Sequence, residues 1–317
     1  MTPTIIGPDA EAAMDWHALL DAFATGHRMP RAEIADSFLY RGADTILSRA
    51  AWIDGLGSAV KTATIFPGNP GAGKPMINGA VNLYSDQDGI LEAIVDFHLV
   101  TKWKTAGDSL YAASILARPD SRNITIVGAG TVGASMIEAY GALFPDARFT
   151  IWNRSPTAAR VLADRTPGAQ AEADLQSALR GADIICTATM STDPVIRGDW
   201  LEPGQHLDLI GAYRPDMREV DDTALRRAAV FVDNRSTTLD HIGELRIPLG
   251  AGVIVRDDIR ADFYDVANGL FRRNSADEIT IAKNGGGAHL DLMTSRFILN
   301  ASRRNANRKA PDALKCR

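Results

Sequence analysis

Cysteine is scarce in this sequence. Its 317 residues include only two cysteines, Cys186 in an apolar strand pattern and Cys316 in a basic tail. Their positions match neither the spacing of a metal site nor a disulfide framework. Because proteins without disulfides are typical of reducing compartments, we expect a cytoplasmic protein.

The sequence also lacks an excess of basic residues and any long apolar run. Its 34 Lys and Arg against 39 Asp and Glu give a net charge of −5, so we expect no nucleic-acid partner. No apolar run reaches membrane-spanning length, and the first residues show no basic-then-apolar signal pattern, so no membrane association is expected. The length and the 45% hydrophobic content allow two domains with buried cores.

Glycines follow a β-branched run near the middle of the chain, in Asn123-Ile-Thr-Ile-Val-Gly128-Ala-Gly130-Thr-Val-Gly133. Such glycines permit a tight strand-to-helix turn and let backbone N–H groups approach a pyrophosphate. A turn without a ligand is the alternative, but a following helix and second strand arrive in the order that a dinucleotide site requires. We therefore predict cofactor contacts at Gly128, Gly130, Thr131 and Val132.

The second strand of this pattern ends without a carboxylate. NAD-binding domains carry Asp or Glu at this point for the ribose hydroxyls, whereas this chain has Asn153-Arg154-Ser155. A guanidinium beside a hydroxyl suits a 2′-phosphate. The sequence therefore predicts NADPH (NADP⁺) as the cofactor, bound by Asn153, Arg154 and Ser155.

From residue 123 onward, strand and helix patterns alternate, which predicts an α/β domain with a doubly wound parallel sheet of the Rossmann type. The expected strands are Ile124–Val127, Arg148–Trp152, Asp183–Thr189, His206–Ala212 and Val230–Asp233, with a further apolar run at Ile279–Ala282. The expected helices are Thr131–Leu143, Thr157–Asp164, Leu175–Arg180 and Thr223–Ala228. Since ligands bind at the carboxyl edge of such sheets, Ala188, Thr189, Met190 and Gly211 are further predicted cofactor contacts.

The first part of the chain predicts a second, α+β domain. A helix is expected over residues 11–27 and another over Leu99–Leu116, before a break at Arg118–Ser121. Between them, turn residues separate runs that predict a small sheet: Ser37–Tyr40, Thr45–Ile53, Ala59–Phe66, Ile77–Tyr84 and Leu91–Val95. A last helix, about His289–Ser302, is expected to return to this domain, followed by a frayed tail. We assign residues 1–118 and 290–317 to this domain and 119–289 to the NADP-binding domain.

Three cations occupy apolar patterns in the first domain: Arg49, Lys61 and Lys104. A buried cation is costly unless it is paired, and a substrate carboxylate is a simple partner for it. Side chains that reach solvent from half-exposed strands are an equally good explanation for each residue taken singly.

Several motifs in order resemble those of the ornithine cyclodeaminase/μ-crystallin family. They are Lys61-Thr-Ala-Thr-Ile-Phe-Pro-Gly-Asn69, Thr101-Lys-Trp-Lys104-Thr-Ala106, Gly128-Ala-Gly130, Ile151-Trp-Asn-Arg154, Ile210-Gly-Ala-Tyr-Arg-Pro-Asp-Met-Arg-Glu219 and Ile279-Thr-Ile-Ala-Lys283-Asn-Gly-Gly286-Gly-Ala-His-Leu-Asp291. The resemblance implies a dimerising substrate domain beside the Rossmann domain, and a homodimer. It also implies that Lys61 holds the substrate carboxylate with help from Lys104, and that Lys283 and Gly286 belong to a cofactor loop.

Departures from the family pattern reduce the number of reactions that the resemblance allows. Most members have Arg where this chain has Lys104, and cyclodeaminases have a glutamate at Ala51 and an aspartate at Tyr213. Without those carboxylates, ornithine deamination loses its acid–base groups. The resemblance therefore implies an NAD(P)H-dependent oxidoreductase acting on CH–NH, of the Δ1-pyrroline-2-carboxylate or Δ1-piperideine-2-carboxylate reductase type, which forms L-proline or L-pipecolate.

Alternatives remain at this stage. An alanine or N-alkyl-amino-acid dehydrogenase would use the same carboxylate clamp, and a non-catalytic μ-crystallin-like protein would keep only the binding sites. An ornithine cyclodeaminase is disfavoured. The sequence leaves open the ring size, the physiological direction and the pathway. It also leaves open the choice between Arg41 and Arg49 as a carboxylate contact, and the roles of Tyr213 and His289.

Overall fold

The computed structural model describes residues 2–309 of the chain. These residues form two compact units. The first comprises the residues up to Lys104 together with those from Gly287 onward, and the second runs from Thr105 to Gly286. Each unit contains one sheet.

The first unit contains a six-stranded sheet. Its elements, together with a helix that continues into the second unit, are β1 (Thr4–Ile6), α1 (Trp16–Gly26), β2 (Glu33–Arg41), β3 (Asp44–Ile53), β4 (Gly57–Ile65), β5 (Ile77–Tyr84), β6 (Leu91–Asp96) and α2 (Phe97–Leu116). The strand order is β1–β6–β5–β4–β3–β2, antiparallel except for β1 beside β6. The small sheet predicted from the sequence is thus confirmed, with β1 as an additional edge strand.

The first helix is shorter than the sequence predicted. Residues Pro8–Ala13 form a 3₁₀ turn, and Met14 is extended. The helix begins only at Trp16, because the Asp15 side chain caps it by accepting a hydrogen bond from the N–H of Ala18 at 2.9 Å.

Burial along β4 alternates strictly from Gly57 to Ala63, so every second side chain faces the interior of the unit. Ala59, Lys61 and Ala63 share that inner face. This register places the Lys61 side chain among buried apolar groups.

The second unit contains an eight-stranded, entirely parallel sheet. Its elements after α2 are β7 (Asn123–Val127), α3 (Thr131–Leu143), β8 (Arg148–Trp152), α4 (Pro156–Asp164), β9 (Gln170–Ala171), α5 (Leu175–Leu179), β10 (Ile184–Thr187), β11 (His206–Leu209), α6 (Asp222–Arg227), β12 (Ala229–Val232), α7 (Arg235–Thr238), α8 (Gly243–Gly250), β13 (Ile259–Ala261) and β14 (Thr280–Lys283). The strand order is β13–β12–β14–β11–β10–β7–β8–β9. This confirms the predicted doubly wound parallel sheet, and the order reverses between β7 and β10, where such sheets bind ligands.

The division between the units differs from the predicted break at Arg118–Ser121. It falls after Lys104, inside α2, which is continuous from Phe97 to Leu116. Trp103 stacks on Trp16 in the first unit, with ring centroids 3.9 Å apart, whereas Tyr111 contacts Phe263 in the second. Because one helix contributes to both cores, no loop composition marks the boundary.

The last helix, α9 (Ala288–Lys309), packs on α1, β3 and β4 of the first unit. It continues past Ser302, so the tail expected to fray is helical as far as Lys309. Cys316 and the end of that tail lie outside the described residues. None of the helices within residues 2–309 is long and apolar enough to cross a membrane.

Candidate active site

Lys61 presents a fixed ammonium inside the first unit. Its Nζ donates to Oδ1 of Asp291 in α9 and to Oγ1 of Thr101 in α2, both at 2.9 Å. The ring of Phe97 lies 4.7 Å from Nζ, so an aromatic face also contacts the charge. The buried lysine expected from the sequence is therefore paired and oriented.

Charges around this pair act on both partners. Burial lowers the pKa of Lys61; Asp291 opposes that shift, and the charges of Lys104 and Arg49 add to it. Burial by itself would raise the pKa of Asp291, but those three cations hold it below its ordinary value. The structure therefore brings the three predicted cations close enough to act on the Asp291 carboxylate, and positive charge gathered in this way suits an additional anion.

Arg49 rather than Arg41 accompanies Lys61. Arg49 lies opposite Lys61 in the β3–β4 pairing, and its guanidinium donates to the Asp36 carboxylate of β2 at 3.0–3.2 Å. The Arg41 side chain is 80% exposed and pairs with Asp44 at the end of β2. Asp36 orients Arg49 on the inner side of the unit, and Arg41 stays at the surface.

Lys104 and His289 are both buried in the first unit. Burial, aided by the charge of Lys104, lowers the pKa of His289 to about 3. The imidazole is therefore neutral near pH 7, and its ring packs edge-on against His27 with centroids 5.5 Å apart. A neutral histidine thus adjoins the cation cluster.

The two positions that depart from the cyclodeaminase pattern contain no carboxylate substitute. Ala51 is buried in β3, so only a methyl group stands there. Tyr213 is 58% exposed, and its ring contacts the guanidinium of Arg214 at 5.9 Å. Neither Ala51 nor Tyr213 therefore supplies the carboxylate that a cyclodeaminase has at the matching position.

In the second unit, two glycines after β7 allow neighbouring backbone segments to approach closely. Gly128 has φ +122°, and a Cβ there would lie 2.6 Å from the carbonyl oxygen of Ala188. A Cβ on Gly133 would lie 2.0 Å from the carbonyl oxygen of Gly128, so this glycine lets α3 begin against the turn.

Gly130 differs from the other two glycines because a Cβ there would meet nothing within 4 Å. It caps α3, and the next two residues, Thr131 and Val132, are exposed. The open N-terminus of a 13-residue helix offers backbone donors and a positive dipole to a phosphate. These residues therefore fit a dinucleotide pyrophosphate.

The three residues predicted to bind the cofactor at the end of β8 have different surroundings. Oδ1 of Asn153 accepts from the N–H of Ala129 at 3.1 Å, and its Nδ2 donates to the carbonyl of Ser155 at 3.2 Å. Asn153 therefore ties the glycine turn to β8. Arg154 and Ser155 are exposed beside the start of α4, where their side chains can meet a ligand.

The loops after β10 and β11 lie at the same carboxyl edge as the glycine turn. Ala188 touches the Gly128 position, as described above, and Met190 is 71% exposed. Thr189 and Gly211 both donate backbone N–H groups to the carboxylate of Glu219, each at 2.8 Å. The structure thus brings four predicted cofactor contacts, Ala188, Thr189, Met190 and Gly211, to the carboxyl edge of the sheet beside the paired strands β7 and β10.

Lys283 and Gly286, predicted as cofactor contacts, direct their donor groups into the unit. The Lys283 side chain is fully buried, and its Nζ donates to the carbonyls of Leu209 and Asn284 at 2.7 and 2.8 Å. The N–H of Gly286 donates to Oδ2 of Asp233 at 2.7 Å. The groups expected to hold the cofactor are therefore engaged inside the unit, because strand ends here need internal donors for their carbonyls and carboxylates.

Three polar residues of these sites were missed in the sequence: Thr101, Glu219 and Asp291. Asp291 carried a usable signal, because it interrupts the apolar run His289-Leu290-Asp291-Leu292-Met293 in the way that Lys61 interrupts its strand. Glu219 and Thr101 carried none, since hydrogen bonding to distant backbone or side-chain groups leaves no local pattern. Among residues 2–309, no cluster of His, Cys, Asp and Glu could hold a metal ion.

Comparisons with known proteins agree with this geometry. The Delta(1)-pyrroline-2-carboxylate reductase of Paracoccus denitrificans is 49% identical over 296 residues, covering 92% of this chain and 94% of the relative. The Thermococcus litoralis Delta(1)-pyrroline-2-carboxylate reductase, in complex with NADH and L-proline, superimposes with a TM-score of 0.87 at 22% identity, covering 96% of this chain and 98% of that one. At that identity the likeness shows the fold alone.

A second solved structure, an archaeal alanine dehydrogenase dimer with bound NAD, also has a TM-score of 0.87, at 26% identity, over 96% of this chain and 98% of that one. The model of the ornithine cyclodeaminase/mu-crystallin family matches residues 52–305, which include Lys61, Lys104, the glycine turn and Asp291. The chain belongs to the ornithine cyclodeaminase/mu-crystallin family.

Proposed function

We propose that this protein reduces a cyclic imino acid, Δ1-pyrroline-2-carboxylate or Δ1-piperideine-2-carboxylate, to L-proline or L-pipecolate with NADPH. It is an NAD(P)H-dependent oxidoreductase acting on a CH–NH bond. The observation that carries the proposal is the buried Lys61 ammonium, held by Asp291 and Thr101 in a family whose 49%-identical member is a Δ1-pyrroline-2-carboxylate reductase.

The cation cluster gives the substrate carboxylate a place to bind. Lys61 donates to one carboxylate oxygen, while Lys104 and Arg49 add positive charge. Because Asp291 and Thr101 already fix Nζ, little side-chain entropy is lost on binding. A carboxylate held in one orientation also fixes the adjacent imine carbon, and such positioning can contribute about 7–11 kcal/mol at best.

The reaction needs little acid–base help from the protein. The imine nitrogen binds already protonated, so the adjacent carbon is electron-poor. When that carbon accepts a hydride, the C=N π electrons move to the nitrogen, which becomes a neutral amine. When bound, the dinucleotide supplies the hydride. This step asks no proton transfer of Lys61, which binds the carboxylate, or of His289.

The exposed Arg154 and Ser155 support NADPH over NADH. A guanidinium and a hydroxyl at this strand end can bind a 2′-phosphate, whereas no carboxylate is present there to accept from a free ribose hydroxyl. Asn153 cannot substitute for the missing carboxylate, because its side chain is engaged with the glycine turn.

A homodimer is part of the proposal. β2 is an edge strand, and its consecutive Phe38, Leu39 and Tyr40 are 48%, 67% and 73% exposed. Apolar side chains on both faces of an unpaired edge favour association with a second copy. The archaeal alanine dehydrogenase that shares this fold is a dimer.

An assay of substrates tests the function. NADPH oxidation is followed with each cyclic imine, with pyruvate plus ammonia, and with pyruvate plus methylamine, and ammonia release from ornithine is measured in parallel. We expect reduction of a cyclic imine at the highest kcat/KM and no ornithine deamination, because Ala51 and Tyr213 supply no carboxylate. Faster turnover of pyruvate with an amine would indicate an amino-acid dehydrogenase instead, and binding without any turnover would indicate a non-catalytic protein.

A further inference from the structure

A buried carboxylate with no role in the proposed chemistry lies beneath the carboxyl edge of the parallel sheet. Glu219 is completely buried, yet its side chain has four hydrogen bonds. Oε1 accepts from the N–H and Oγ1 of Thr189, both at 2.8 Å. Oε2 accepts from the N–H of Gly211 at 2.8 Å and of Ala212 at 3.2 Å.

These bonds connect two loops that are distant in sequence. Thr189 follows β10, and Gly211 and Ala212 follow β11, so each carboxylate oxygen holds a different loop. The loops approach so closely that a Cβ on Gly211 would lie 2.1 Å from the carbonyl oxygen of Thr189 and 2.3 Å from Oε1 of Glu219. The loop after β10 in turn touches the glycine turn, through Ala188 against Gly128. One side chain therefore fixes three adjoining segments of the edge.

A second carboxyl group, that of Glu244, and the Lys283 ammonium lie close to Glu219. Glu244, in the first turn of α8, accepts from the N–H groups of Glu219 and Val220 at 2.6 and 3.1 Å. Burial and the neighbouring Glu219 together raise the pKa of Glu244 to about 7, although Lys283 opposes the shift. Burial lowers the pKa of Lys283, against the attraction of Glu219 and Glu244. Lys283 is thus the buried cation that faces these two side chains.

We propose that Glu219 is a positioning residue for the dinucleotide, whose carboxylate locks the loops after β10 and β11 into the shape that receives the cofactor. Lys283, expected from the sequence to touch the cofactor, instead serves as the buried counter-charge of Glu219. The inference rests on the proposed dinucleotide site, and Glu219 itself does not contact the ligand.

The variant Glu219→Gln tests the lock. The amide keeps the shape of the side chain, but only one of its two ends is an acceptor. In either orientation its NH₂ group faces at least one backbone N–H group, that of Thr189 or those of Gly211 and Ala212, and two donors cannot pair. Lys283 keeps a carboxylate partner, because Glu244 can ionise in response. One of the two loops should therefore be released while the unit remains folded.

Asp183 provides a matched control at the opposite end of the same sheet. It also accepts from two backbone N–H groups, those of Arg122 and Asn123, at 2.8 and 2.9 Å, and from the Arg118 guanidinium. Asp183→Asn removes a comparable carboxylate just before β10 and away from the carboxyl edge. Asp183 is half-buried, so the variant reports the cost of losing a carboxylate that holds two backbone N–H groups elsewhere in this unit.

The measurements are the dissociation constant for NADPH by calorimetry, the KM for the imine at saturating NADPH, and amide hydrogen exchange. In Glu219→Gln we expect the NADPH dissociation constant to rise by at least about tenfold, with the imine KM within about threefold of the unmodified value. Amide exchange should quicken at Thr189, or at Gly211 and Ala212, depending on which loop the NH₂ group faces. In Asp183→Asn, NADPH affinity should stay within about twofold.

Two results would overturn the inference. One is an equal loss of NADPH affinity in both variants, which would make Glu219 a general structural residue. The other is unchanged affinity in Glu219→Gln with amide exchange in both loops as slow as before. Failure of the proposed function is distinguishable from both, because it would appear as missing imine reduction in the unmodified protein, whereas these two results compare NADPH affinity between variants.

Discussion

At the scale of single residues, the ion pair between Lys61 and Asp291 changes what a substitution should do. From the sequence, Lys61→Met is expected to fold normally, because it removes a costly buried charge. In the structure that charge is hydrogen-bonded to a buried carboxylate, and removing one partner of such a pair typically destabilises a protein by about 3–5 kcal/mol. A loss of activity in the single variant Lys61→Met could therefore come from a folding defect as well as from a catalytic one.

The double variant Lys61→Met with Asp291→Leu separates the two effects. With both charges replaced by apolar groups, we expect the free energy of unfolding to recover toward the unmodified value. NADPH binding should persist, because the glycine turn belongs to the other unit. Imine reduction should still fall by orders of magnitude. Urea unfolding and kcat/KM at saturating NADPH measure both quantities, and near-normal kcat/KM in the double variant would remove Lys61 from the substrate site.

The proposed choice of dinucleotide also depends on a single side chain, that of Arg154. Arg154→Asp replaces the group proposed to bind the 2′-phosphate with one that repels it and accepts from ribose hydroxyls. We expect the preference for NADPH, measured as the ratio of kcat/KM values for the two cofactors, to flatten or reverse. Arg165→Asp makes the same charge change at the exposed C-terminal end of α4 and should preserve it. Equal use of both cofactors by the unmodified protein would contradict the assignment.

His289 predicts how the stability of the protein depends on pH. Its pKa is about 3 in the folded chain but about 6.5 when unfolded, so the unfolded chain binds more protons between these values. Its contribution is absent above pH 6.5, and it destabilises the fold progressively as the pH falls toward 3. His289→Gln should flatten this acid limb in urea unfolding, whereas His17→Gln, on the exposed face of α1, should leave it unchanged. An equal change in both variants would assign the acid limb to other groups.

At the scale of elements, the turn from β7 to α3 contains glycines with two different purposes. Gly133→Ala would place a Cβ 2.0 Å from a backbone oxygen, so we expect a marked loss of thermal stability. Gly130 has φ −85° and open space around it, so Gly130→Ala should leave the stability of the ligand-free protein nearly unchanged. That same methyl group should weaken NADPH binding, because it fills the space that a pyrophosphate approaches.

Calorimetric titration with NADPH and thermal unfolding of the two variants check this difference. Normal NADPH affinity in Gly130→Ala would mean that the pyrophosphate lies elsewhere. Unchanged stability in Gly133→Ala would mean that α3 can shift away from the turn.

At the scale of the whole molecule, the exposed apolar edge of β2 predicts a homodimer. Light scattering at micromolar concentration should give about twice the 34.1 kDa chain mass. Leu39→Glu places a charge on that edge and should shift the protein toward the monomer. Ile5→Glu is the matched control, because Ile5 is similarly exposed on β1 at the opposite edge of the same sheet. A monomer in the unmodified protein would refute the prediction.

The sequence by itself determined both sheets, the glycine turn and the presence of buried cations. Period-two patterns between residues 37 and 95, and strand–helix alternation after residue 123, are local signals, and the structure confirms them with shifts of a few residues at most strand ends. The cations were recognisable because Lys61 and Lys104 interrupt apolar patterns that are costly to interrupt.

Only the tertiary structure decided the partners of those residues. Asp291 meets Lys61 across 230 positions of sequence, Glu219 joins loops 22 residues apart, and Lys283 turns inward to strand-end carbonyls. The boundary within α2 was equally invisible, because a continuous helix contributes to two cores. Local patterns report which face of an element is buried, whereas a hydrogen bond or ion pair depends on which elements the fold places beside it.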